Sequence, residues 1–180
     1  MSEEFVLPPR PAKVVIRADL LPAVSAASLI AVLGLLEGWI WSLIAPPERV
    51  GVSSSGQVLP LVDESYHRFD DIAIFVLMGL VAGLLTGAAL WLLRHRRGPV
   101  ILIAAVLGSL VAAYLAKQTG LSFAAGRYVV SAAPAIGSMY SVAPRLETGW
   151  LLIAQPLGVA VAYGVLAAWH TEPDLGRRLS

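Results

Sequence analysis

The chain has 180 residues, of which 57% are hydrophobic and 14% charged, with a net charge of +1 and no cysteine. That balance leaves no global field to draw nucleic acid, and the missing thiols exclude disulfides, thiolate metal sites and cysteine nucleophiles. A globular domain carries about 25% charged residues, so the long uncharged blocks here point to one domain in a lipid bilayer.

Residues 1–19 form a polar tail, too rich in proline (Pro8, Pro9, Pro11) for a packed element. The apolar block 20–45 exceeds the core of a signal peptide, about 7–15 residues, and reads as an uncleaved first span. Gly34 and Gly38 lie four apart on it, with Glu37 beside the second glycine. Trp39 and Trp41 fall towards its far end, where amphipathic rings favour the interface. Pro46 and Pro47 stop it.

The first outer loop, 46–71, contains VGVSSSGQVLPLV, two β-prone pieces around a Ser/Gly turn that fit a small hairpin. DESYHRFDD follows, with Asp63 or Ser65 as N-cap and carboxylates suited to the positive end of the next helix. The second span, 72–93, runs 22 residues without a charge, enough to cross a hydrocarbon layer of roughly 30 Å. Gly79, Gly83 and Gly87 recur every fourth residue along it and offer a flat face to another helix, helix one or three. The basic run Arg94, His95, Arg96, Arg97 closes it.

Gly98 and Pro99 turn the chain into a third span, 99–116, which ends at Lys117, whose stem can snorkel. Ala104, Gly108, Ala112 and Ala116 repeat the small-residue stripe. The second outer loop, 118–148, holds apolar pieces too short to span. The fourth span, 149–169, has Trp150 and Trp169 near its ends and Gln155 and Pro156 in its outer half, where a supported kink is expected. The tail 170–180 returns to the basic side with Arg177 and Arg178. The two tails and the turn after helix two hold eight Lys and Arg, and the two longer outer loops, with Lys117 at the edge of the second, hold five. By the positive-inside rule both termini are then cytoplasmic, in a multi-pass protein of the plasma membrane. The fold class is an all-α, tightly packed bundle of four transmembrane helices with two long extracytoplasmic loops.

Few polar residues have chemistry to offer. Glu37 is the only formal charge inside a span, where a carboxylate is costly and needs a partner. The candidates are Lys117, Arg127 and Gln155. Glu37 reads either as a hydrogen bond tying helices together or as part of an ion or proton path. Asp63, Glu64, His67, Asp70 and Asp71 form a second cluster, in which Glu64, His67 and Asp71 share a helical face. Such a set can hold a divalent cation, but helix-end acids in solvent explain the same residues. His95 and His170 read as interfacial. The glycine stripes, Gly34 and Gly38, then Gly79, Gly83 and Gly87, then Gly108, read as helix packing, with homo-oligomer contacts also open. No phosphate-cradling loop, zinc spacing or nucleophile elbow is present, so no cofactor, metal or catalytic residue is expected.

The stretches GLLEGWIWSLIAPP, ESYHRFDD with GLVAGLLTG, RHRRGP, LETGWLLIAQPLGVAVAYGVLAAW and PDLGRR resemble an uncharacterised family of small actinobacterial integral membrane proteins. The resemblance covers most of the chain beyond residue 20. It implies four spans and an actinobacterial plasma membrane and carries no catalytic residues. The expectation is a non-catalytic accessory or assembly subunit of a membrane or cell-envelope complex, the alternative a small transporter or channel that uses Glu37.

Overall fold

A computed structural model describes residues 16–60, 64–93, 97–128 and 135–170. In chain order they form α1 (Ile16–Ile44), β1 (Glu48–Val52), β2 (Val58–Pro60), α2 (Glu64–Leu92), α3 (Pro99–Arg127), β3 (Met139–Val142), a 3-10 turn (Trp150–Ile153) and α4 (Ala154–Ala168). Four helical segments of 19 to 29 residues are long and apolar enough to cross a membrane. They alternate in direction and carry large apolar side chains on their outer faces, among them Leu29, Leu85, Leu107 and Val161, as helices facing lipid do.

Small residues decide which helices meet. On α1, a Cβ added to Gly34 would overlap the carbonyl of Ala112, and one on Gly38 the carbonyl of Ala116. One on Gly108 of α3 would lie 2.8 Å from Cα of Ala27. These approaches lock α1 to α3 along most of their length, backbone against backbone. The stripe on α2 packs against α4 instead. A Cβ on Gly83 would overlap the carbonyl of Gln155, and one on Gly158 would lie 2.6 Å from the carbonyl of Leu80. The expectation that Gly83 meets helix one or three is therefore corrected: its partner is helix four. The two pairs join through α3 and α4, while α1 and α2 barely touch. The bundle is thus tight along two seams and open along a third.

The third helix does not stop at Ala116. It continues to Arg127, because Ala116, Gly120 and Ala124 prolong the buried small-residue face by two more turns. Lys117 lies within this helix and does not end it. The slot over Gly120 receives the indole of Trp41, whose Cε3 would lie 2.7 Å from a Cβ there. Trp41 is accordingly fully buried, against the expectation of an interfacial ring. Its Nε1–H donates to the backbone oxygen of Asp71 at 3.1 Å, and its ring meets Phe75 edge to face at 6.1 Å. Trp150 and Trp169 are exposed near the two ends of the fourth helix. Pro156 falls in the first turn of α4, where its missing N–H costs least. The departure from regular helix is the 3-10 turn just ahead of it, in place of a kink within the span.

The all-α expectation also needs correction. β1 pairs antiparallel with β2, as the predicted hairpin requires, across a turn in which Gly56 has φ 76°. β1 pairs on its other side with β3, Val50 opposite Tyr140, so strand order is β2-β1-β3. The strand from the second loop was illegible because MYSV is short and ringed by loop residues, and its partner lies about ninety positions earlier in the chain. Residues 48, 50 and 52 are the buried face of β1. The sheet ties the two loops together at one end of the bundle.

Candidate functional site: a lateral cleft between helices one and two

With the small residues of α1 turned to α3 and those of α2 turned to α4, bulky side chains face each other between α1 and α2. Leu33, Leu36 and Ile40 on one side and Leu77, Val81 and Leu85 on the other hold the helices apart. They border a cleft of about 540 Å³, within the roughly 300–1,000 Å³ of small-molecule sites. Its lining is apolar except for Glu37, Thr86 and Gln155.

Glu37, Gly79 and Gln155 converge there from three helices. A Cβ on Gly79 would lie 3.6 Å from Glu37 Oε1 and 3.6 Å from Gln155 Cβ. Gly79 is thus the one member of its stripe that leaves room, and the room holds the carboxyl. Gln155 is 2% exposed, and its Oε1 is buried without a hydrogen-bond partner among the described residues. Thr86, two turns along α2, donates its hydroxyl hydrogen to the carbonyl of Ala82 at 2.7 Å. Of the expected partners of Glu37, only Gln155 shares the cleft. Lys117 Nζ donates to the carbonyl of Thr148 at 3.3 Å, and Arg127 Nη1 donates to that of Ser42 at 2.6 Å.

The family model described as "Protein of unknown function (DUF2567)" matches residues 30–177. The chain belongs to this family. It is 32% identical over 166 residues to an uncharacterised protein of Mycobacterium leprae, covering 81% of this chain and 83% of that one. Uncharacterised proteins of Mycobacterium tuberculosis and Mycobacterium bovis are each 29% identical over 169 residues, covering 79% of this chain and 84% of theirs. The actinobacterial affinity and the four apolar helices agree with the family resemblance. No solved structure matches the chain.

The acidic cluster ahead of α2 fares differently. Asp63 lies outside the described residues, as do the side chains of Glu64 and His67. Asp70 is exposed, as a helix-end acid in solvent should be. Asp71 is fully buried beside Trp41, so its reading as a solvated acid is corrected. One residue further round the helix, it faces the sheet end of α1, where Trp41 covers it.

A polar node at the other end of the bundle escaped the sequence reading. Arg97 is only 6% exposed. Its Nε–H donates to the carbonyl of Trp91 at 2.8 Å, and its guanidinium lies 4.1 Å above the Trp91 ring. Tyr163 and His170 meet the same indole edge to face at 5.2 Å and 5.6 Å. The Gly98 N–H donates to Tyr163 Oη at 2.8 Å. Arg97 therefore folds the α2–α3 turn back onto Trp91 of α2, and Tyr163 ties that turn to α4, where the sequence placed Arg97 in a solvated basic run. The only available signal was Trp91 six residues before it.

Proposed function

We propose that this membrane protein binds a membrane-dissolved ligand in the cleft between α1 and α2 and works as a small carrier for it. The observation that supports this is that Glu37 and the buried Gln155 line one apolar cleft, each 3.6 Å from where a Cβ on Gly79 would lie. Binding sites of this kind are mostly apolar, with a few polar groups to orient the ligand. An ionisable group within a span is by default a sign of function. The accessory-subunit reading uses Glu37 as a tie between helices, and the engagement of Lys117 and Arg127 with carbonyls elsewhere weakens it.

An apolar alkyl diazirine, photolysed with the full-length protein in lipid nanodiscs, tests the cleft. Adducts are expected at Leu33, Ile40 and Val81 above the level at lipid-facing Leu29 and Leu107, and they should be displaced by the true ligand from a membrane extract. Equal labelling of both sets overturns the reading. Native purification with a stoichiometric protein partner that protects the cleft from labelling favours the accessory subunit instead.

A further inference from the structure

We infer that the ligand of the cleft is a hydrophobic amine, a primary or secondary ammonium on an apolar body, held by Glu37 and Gln155. The inference rests on the cleft reading above and supplies its ligand class. Most of the polar capacity that lines the cleft accepts hydrogen bonds, and the Gln155 amide nitrogen is the donor group left there. An ionised carboxylate is acceptor only. Gln155 Oε1 is buried with its lone pairs unused among the described residues. Thr86 has committed its hydrogen to Ala82 and keeps only its lone pairs. A floor of this kind is completed by a ligand that brings donors, because buried polar atoms are costly without partners.

Charge separates an amine from an alcohol. A carboxyl in apolar surroundings takes up a proton unless a counter-charge stands beside it, and Lys117 and Arg127 donate to backbone carbonyls elsewhere. A bound ammonium supplies that charge and two or three N–H donors together. An alcohol of equal length offers one donor and no charge, and a fatty acid adds a second negative group. Leu33, Ile40, Leu77 and Val81 take the apolar body, which enters sideways from the hydrocarbon because the cleft lies between two helices that barely touch.

Tritiated dodecylamine binding to the full-length protein in detergent tests this, with dodecanol and dodecanoate as competitors of equal chain length. Saturable binding is expected, with dodecanol competing roughly tenfold or more weakly, the scale of one charge-assisted hydrogen bond. Glu37→Gln should lose a similar factor while melting like the parent. Val81→Trp, which fills the cleft and keeps Glu37, should abolish saturable binding, and it serves where Glu37→Gln fails to fold. Equal competition by dodecanol, or parental affinity in a folded Glu37→Gln or Val81→Trp variant, overturns the inference. The diazirine probe distinguishes the two failures. Cleft labelling without amine preference removes the ligand class alone, and absence of cleft labelling removes both readings.

Discussion

Gly79 and Gly83 occupy one stripe in the sequence and meet opposite surroundings in the bundle. An added Cβ on Gly83 would run into the backbone of Gln155, while one on Gly79 finds only ordinary contacts at 3.6 Å. Gly83→Ala should therefore cost about 1–3 kcal/mol, the scale of overpacking a close contact. Gly79→Ala should melt within experimental error of the parent. Thermal unfolding in one detergent checks both, and equal effects would contradict the assigned seams. Trp39 and Trp41 divide in the same way, two residues apart on one helix. Trp41→Phe gives up a buried indole donor at 3.1 Å and part of the filling over Gly120, so a loss of about 1–3 kcal/mol is expected. At this scale the chain displayed the faces that pack but not their partners. A four-residue repeat defines a stripe on a helix, and only the assembled bundle tells α4 from α1 or α3. Glu37 was legible as the one charge in a span, and Gln155 as its companion. Arg97 and Asp71 were not, because a charge at a span boundary looks solvated until a neighbouring ring covers it.

Elements were legible in proportion to their uncharged length. The four apolar blocks came through as four helices, since about 20 apolar residues leave the chain little alternative in a bilayer. The sequence underestimated α3 because a lysine was taken as its end, whereas helix continuation is set by the buried face of Ala116, Gly120 and Ala124. The sheet exposes the limit of local reading: β1 and β2 are joined by a turn, but β1 and β3 meet only through the whole fold. That pairing has a direct check in a chain with no cysteine. Arg49 stands opposite Ser141, and directly opposed residues lie about 4.5–5.5 Å apart between Cα atoms, within disulfide reach. Arg49→Cys with Ser141→Cys should form an intramolecular disulfide under mild oxidation, seen by peptide mapping without reduction. Arg49→Cys with Tyr140→Cys should form it far less, since adjacent residues of a strand point to opposite faces. Equal yields would mean that the register is wrong. At the other end, Tyr163→Phe leaves the buried Gly98 N–H without its acceptor. A loss of about 1–3 kcal/mol follows, and hydrogen exchange should report it as faster opening of the α2–α3 turn.

The whole molecule sets a sheet that joins two loops against a turn that joins α2 to α3, at opposite ends of an antiparallel bundle. An even number of crossings puts the start of α1 and the end of α4 on the same side as that turn. The expectation for which end faces the cytoplasm comes from charge. Eight Lys and Arg lie in the tails and the turn, five in the loops and helix ends on the sheet side, and the excess is expected on the cytoplasmic side. Among the described residues some of these cations do structural work as well: Arg97 caps the turn on Trp91, and Lys117 and Arg127 fasten α3 to backbone carbonyls at the sheet end. The expected orientation is therefore sheet outside, turn inside, with the cleft and Glu37 on the half of the bilayer nearer the sheet. Single cysteines at Ser54, exposed in the β1–β2 turn, and at Arg96 report it without interference from native thiols. In intact cells an impermeant maleimide should modify Ser54→Cys and leave Arg96→Cys untouched until the membrane is permeabilised. The reverse pattern would invert the protein, and with it the side from which a hydrophobic amine first meets the carboxylate. The binding inference would stand, but the carrier would then take its ligand from the cytoplasmic half of the bilayer.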